Sequence, residues 1–168
     1  MKTMKKLLFV VALTAASFAG FAQNSNVKFG IGLETAFPLG TFGDAYSFGI
    51  GGSAQANFVL DPTLDLTLQA GYISFQGKTT NGYKFPSIGY VPLLGGIEYK
   101  FTPQVFGSAQ LGVTFATGNG ASGTAFTYAP GIGYKFTENF NALLKYTGYS
   151  AKGGSSSNTV GVRLGYTF

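Results

Sequence analysis

From about residue 25 to the C-terminus, apolar and polar side chains alternate with a period of two in eight separate stretches, and a period of two is the period of a β-strand. In the first stretch Val27, Phe29, Ile31 and Leu33 share one face, while Lys28, Gly30, Gly32 and Glu34 share the other. The second sets Phe48, Ile50, Ala54, Ala56 and Phe58 against Gly49, Gly51, Ser53, Gln55 and Asn57. The third sets Leu64, Leu66, Leu68, Ala70 and Tyr72 against Asp65, Thr67, Gln69 and Gly71. The fourth is less regular, with Val91, Leu93, Ile97, Tyr99 and Phe101 opposed to Tyr90, Pro92, Leu94, Gly96, Glu98 and Lys100. The fifth carries Ser108, Gln110, Gly112 and Thr114 on its polar face, and the sixth Thr127, Gly131, Gly133 and Lys135. The seventh has Ala142, Leu144 and Tyr146 opposite Leu143, Lys145, Thr147 and Tyr149. The eighth is the most regular: Val160, Val162, Leu164, Tyr166 and Phe168 oppose Thr159, Gly161, Arg163, Gly165 and Thr167. No stretch beyond the first segment shows a helical period.

The connections alternate in length. Asp61-Pro62-Thr63, Thr102-Pro103-Gln104 and Thr137-Glu138-Asn139 are tight turns. The other four, near residues 37–45, 76–86, 116–123 and 151–157, are longer and rich in Gly, Ser, Thr and Asn. A meander of eight strands with both ends on the short-turn side gives this count. Outer-membrane barrels have the same asymmetry, with short periplasmic turns and longer external loops. The expectation is an all-β fold: an eight-stranded antiparallel up-and-down transmembrane β-barrel.

Alternation also fits a soluble lipocalin-like barrel, whose apolar face points inward. Side-chain volume favours the membrane. An eight-stranded barrel has an interior just wide enough for side chains. The Phe, Tyr, Leu and Ile of the apolar face overfill it, whereas the Gly, Ser, Thr and Gln of the other face fit. Charged residues make up only 10% of the chain, against about 25% in ordinary soluble domains. The apolar face is therefore expected to meet lipid. Phe58, Tyr99, Phe101, Tyr134, Phe136, Tyr166 and Phe168 would form one interfacial girdle, and Tyr46, Phe48, Tyr72, Phe115, Phe126 and Tyr128 the other.

Residues 1–22 read as a cleaved signal peptide. Lys2, Lys5 and Lys6 precede an apolar run from Leu7 to Phe18, with Gly20 and Ala22 placed for a cut before Gln23. The run is shorter than the roughly 20 residues of a membrane-spanning helix. Residues 23–168 form the barrel domain. Without the three leader lysines the formal charge of +5 falls to +2, and no basic run points to nucleic acid.

The inward charges need partners in a low-dielectric interior. Glu34 and Arg163 fall on strands that meet when the barrel closes, with Lys145 one strand further on. Lys28, Asp65, Glu98 and Lys135 fall near the periplasmic end. With Gln69 and Gln110, these residues are expected to form a polar network that plugs the lumen. The chain has no cysteine and no histidine, which removes disulfides, thiolate chemistry, the lipid-bearing cysteine of lipoproteins and the usual general base. The six acids are scattered without metal-ligand spacing. Gly30-Ile31-Gly32 and Gly131-Ile132-Gly133 lack the helix and Lys of a phosphate loop. No enzyme activity and no cofactor or metal is expected.

Several pieces of the chain resemble the small eight-stranded outer-membrane barrels of the OmpA- and OmpX-like kind, in their Bacteroidetes-type versions. Val91-Pro92-Leu93-Leu94-Gly95-Gly96-Ile97-Glu98-Tyr99-Lys100-Phe101 looks like that family's central strand, and Gly107-Ser108-Ala109-Gln110-Leu111-Gly112-Val113 like the strand after it. The ending Val160 to Phe168 resembles the signal read by the barrel-insertion machinery, with Tyr166 and the terminal Phe168 as its key residues. The resemblance implies residence in the bacterial outer membrane, with lipid and the insertion machinery as partners. It also implies a structural or surface-interaction role, with any surface ligand held by the external loops. It carries no peptidoglycan-binding segment with it. A narrow channel for small solutes and a soluble periplasmic lipocalin-like carrier are the alternatives.

Overall fold

The computed structural model describes residues 26–80, 83–118, 123–151, 153–154 and 156–168. The expected signal peptide, residues 1–22, lies outside the described residues. Eight long strands carry the fold: β1 (Val27–Leu39), β2 (Tyr46–Val59), β3 (Leu64–Gly77), β4 (Ile88–Lys100), β5 (Val105–Thr117), β6 (Gly123–Lys135), β7 (Phe140–Ala151) and β8 (Ser156–Thr167). Each pairs antiparallel with its sequence neighbours, and β1 pairs with β8, so the sheet closes on itself without a free edge. In the closing seam Gly30 faces Thr167, Glu34 faces Arg163 and Leu39 faces Asn158.

The three tight turns share one hydrogen-bond scheme. The Asp61 carboxylate accepts from the N–H of Thr63 (2.7 Å) and of Leu64 (3.0 Å). Thr102 Oγ1 accepts from Gln104 and Val105 (3.3 and 2.9 Å), and Thr137 Oγ1 from Asn139 and Phe140 (3.3 and 2.9 Å). A short side-chain acceptor at the start of each turn thus replaces a missing backbone partner. The Thr63 hydroxyl and N–H also hold the Asp61 carboxyl below the usual carboxylate range.

The opposite end is built differently. A six-residue helix, α1 (Gly40–Ala45), follows β1, where no helix was expected. One and a half turns are too few for a helical period to show in sequence. It starts at Gly40, whose φ of 57° suits a residue without Cβ. A two-residue ribbon, Thr79–Thr80 with Tyr83–Lys84, rises between β3 and β4.

The apolar face points outward, opposite to a lipocalin. Ile31, Leu33, Ile50, Leu66, Leu68, Leu93, Ile97, Leu111, Ile132, Leu144 and Leu164 are all about half exposed along the wall. At the tight-turn end, aromatic pairs two residues apart repeat on alternate strands: Tyr99–Phe101, Tyr134–Phe136 and Tyr166–Phe168, with ring centroids 5.3, 5.3 and 5.4 Å apart.

Two expectations about the interior need correction. The lumen is not filled by small and polar groups alone: beside Leu94, Leu143 and Tyr149, which the alternation already put on the inward face, Phe75, Phe106 and Ile73 are buried in it. Two of these rings lie over inward glycines on a neighbouring strand. A Cβ at Gly49 would meet the Phe75 ring, and one at Gly133 would meet the Phe106 ring. The missing side chain makes the space that the aromatic ring takes. Tyr46, assigned above to the outer girdle, instead packs inward against the cluster of Ala36, Ile73 and Phe75.

Candidate functional site

Among the described residues the lumen gathers most of the buried polar and charged groups, and it has three levels. At mid-height Glu34, 1% exposed, sits at the centre of a network from five strands. Lys145 Nζ lies 2.8 Å from its Oε2, and Arg163 Nε lies 3.5 Å from its Oε1. Ser53 Oγ and Gln69 Nε2 donate to Oε1 at 2.7 and 2.8 Å, and Arg163 Nε donates to Ser53 Oγ at 3.0 Å. The guanidinium has room because Gly32 and Gly165 flank it, where added Cβ atoms would each come within 2.5 Å of its nitrogens. One buried carboxylate thus answers two cations, and such an arrangement holds only when its hydrogen bonds are filled.

The level below faces the tight turns. Glu98 accepts hydrogen bonds from Gln55 Nε2 and Asn57 Nδ2, both at 3.0 Å. Lys100 Nζ pairs with Asp65 at 2.7 Å. Lys135 Nζ lies over the Phe106 ring, 5.5 Å from its centroid. Lys28 is exposed at the end of the barrel and borders a pocket of 50 Å³ with Asp65, Glu98 and Lys135.

Of the residues singled out from the sequence, Glu34, Lys145, Arg163 and Gln69 therefore meet in one network. Lys28, Asp65, Glu98 and Lys135 line one pocket without pairing directly. Gln110 stands apart, with its Nε2 3.5 Å from Thr67 Oγ1. Ser53, Gln55, Asn57 and Lys100 were not singled out, although their parity put them on the polar face. What selects them is register across strands: Gln55 and Asn57 on β2 reach Glu98 on β4, two strands away.

Between mid-height and the long loops the lumen changes character. A cavity of only 10 Å³ is bordered by Leu94, Tyr149 and the network's Lys145. Above it the barrel widens into a pit of 1420 Å³. Phe42 of α1, Tyr46, Tyr90 and Tyr149 form its aromatic lining, with Thr114 and Ser157 among its hydroxyls. At the other end Tyr166 and Phe168 point outward, and the Phe168 N–H donates to the Phe29 carbonyl at 2.9 Å, tying the terminus into the seam. Among the described residues no group of three or more Asp or Glu is placed to hold a metal ion.

A family model described as the outer membrane protein beta-barrel domain matches residues 7–168. No curated protein matches the chain in sequence. Among solved structures, the chain is similar to Ail, the attachment invasion locus protein of Yersinia pestis. The TM-score is 0.58 at 15% identity, over 85% of this chain and 98% of that one. It is also similar to the N-terminal β-barrel domain of Pseudomonas aeruginosa OprF, with a TM-score of 0.56 at 16% identity, over 84% and 97% of the two chains. A de novo designed transmembrane β-barrel gives 0.54 at 17% identity, over 84% and 95%. Identities this low establish a shared fold and nothing finer.

Proposed function

Since the chain belongs to the outer membrane protein beta-barrel domain family, and so resides in the bacterial outer membrane, we propose that it serves there as a non-conducting, non-catalytic barrel that displays its long loops to the surroundings. The observation that carries this reading is the narrowing of the lumen. Below the 1420 Å³ pit on the loop side, the cavity bordered by Leu94, Lys145 and Tyr149 holds only 10 Å³, room for about one water molecule. A solute entering from outside meets Tyr149, Leu94 and the Lys145 chain, each less than a tenth exposed. Lipid is the partner of the outer wall, and the Tyr166–Phe168 ending suits recognition by the insertion machinery. The long loops then remain as the part able to meet a surface ligand.

Conductance tests the closed lumen. Refolded protein is first shown to be folded by the shift of its gel band between unboiled and boiled samples. It is then added to a planar bilayer. The expected record is a flat baseline; steady, reproducible current steps would overturn the reading and favour a narrow channel.

A further inference from the structure

We propose that the pit at the loop end is a binding site for short neutral oligosaccharides. The proposal deepens the surface-interaction reading, and it rests on the closed lumen only for the pit being a dead end. Three observations carry it. First, no Asp, Glu, Lys or Arg is among the described residues lining the pit, whereas the pocket at the opposite end is bordered by seven charged side chains, including Lys28, Asp65 and Arg163. Among these described residues an ionic ligand would find no counter-charge to replace its lost hydration.

Second, the aromatic rings are continuous and mutually braced. Phe42 lies parallel to Tyr90 (5.9 Å, 8°) and edge-on to Phe75 (5.2 Å), and Tyr90 meets Tyr149 edge-on at 5.0 Å. Of these rings Phe42 and Tyr90, with Tyr46 beside them, are half-buried and line the pit, and aromatic surface of this kind suits the C–H face of a pyranose ring. Third, hydroxyls are interleaved with the rings: the Ser157 side chain lies beside Tyr90 and that of Thr159 beside Tyr149, and Thr114 and Ser157 line the pit itself. A wholly apolar ligand would cover these hydroxyls without replacing their hydrogen bonds to water, which a site with polar groups disfavours. A sugar offers both an apolar face and a hydroxyl edge. The volume exceeds the roughly 300–1,000 Å³ of single small-molecule pockets, which suits more than one sugar ring.

The test uses the folded protein in phosphatidylcholine nanodiscs, since sugar-headed detergents would compete for the site. Maltotriose and N,N′,N″-triacetylchitotriose are titrated against it, with the cationic, deacetylated chitotriose and benzyl alcohol as controls. The chain has no tryptophan, so tyrosine emission follows the titration, and amide shifts at Tyr90, Thr114 and Ser157 locate the ligand in the pit. The expected result is saturable binding of at least one neutral trisaccharide. Ala116→Trp, which fills the pit, should weaken it by about tenfold or more, and Tyr90→Phe and Ser157→Ala by about three- to tenfold. The two milder variants keep the test decisive if Ala116→Trp fails to fold. Three results would overturn the proposal: no saturation by either neutral sugar, affinities unchanged in the folded variants, or tighter binding of either control. A barrel that conducts yet binds sugar would sink the closed lumen and leave this site standing.

Discussion

The Phe106 ring has its place in the lumen because Gly133 has no side chain. An alanine at Gly133 would drive its Cβ into that ring, and the close-packed interior of a small barrel has no slack to move the ring elsewhere. Gly133→Ala should therefore destabilise the barrel by about 1–3 kcal/mol, the usual cost of overpacking. Gly95→Ala is the control, since its new Cβ would lie 3.9 Å from the Thr67 carbonyl oxygen, an ordinary contact, and should be neutral or mildly stabilising. Urea unfolding in detergent micelles separates the two, and Phe106→Leu combined with Gly133→Ala should recover much of the loss. If Gly133→Ala proved as harmless as Gly95→Ala, this account of the interior would fail. The inward parity of both residues can be read from the sequence. That one ring rests on the other's missing side chain cannot, because the two residues lie 27 apart and meet only through strand register (Phe106 opposite Gly133). Glu34, Lys145 and Arg163 were more legible, since each is a charge on a face of Gly and Thr and has to find a partner.

At the scale of elements, the two ends of the barrel are built by different rules. The tight turns are specified locally: Asp61, Thr102 and Thr137 each accept from N–H groups two and three residues ahead. Thr102→Ala and Thr137→Ala should each cost about 1 kcal/mol in the same unfolding measurement, the net worth of a hydrogen bond. Asp61 makes the equivalent bonds as a carboxylate with a lowered pKa. Its contribution is present at neutral pH, above the unfolded-state pKa, and is lost as pH falls through the lower folded-state value. An Asp61→Asn barrel should lack this acid-dependent component, and equal acid sensitivity in the two proteins would contradict the assignment. Local chemistry of this kind is legible in sequence, and so are the strands. The loop end is not. Helix α1 is too short to show a period, and its Phe42 is fixed by rings on β3 and β4. Tyr46 turns inward for the same reason: the apolar cluster under α1 offers it more contact than the interface would.

For the molecule as a whole, the governing fact is that the bulky side chains are on the outside. Composition and volume made this readable, because a barrel of eight strands cannot hold those rings and branched chains within it. The same fact gives the wall a depth axis, and substitutions should follow it. Leu111 lies midway along β5, opposite Gly95 and Tyr128, and is 57% exposed on the wall. Leu60 lies just before the first tight turn, beyond the end of β2, and is 61% exposed. A soluble protein would treat arginine at two such exposed positions alike. In a bilayer the central charge must be carried through hydrocarbon, whereas the turn charge reaches the headgroups. Leu111→Arg should thus cost about 2–4 kcal/mol and Leu60→Arg about 0–1 kcal/mol, measured by guanidinium unfolding from phosphatidylcholine vesicles. Repeating both in short-chain detergent, where the apolar zone is thinner and adaptable, should narrow the gap. Equal costs in vesicles would mean that depth along the wall is not depth in a membrane.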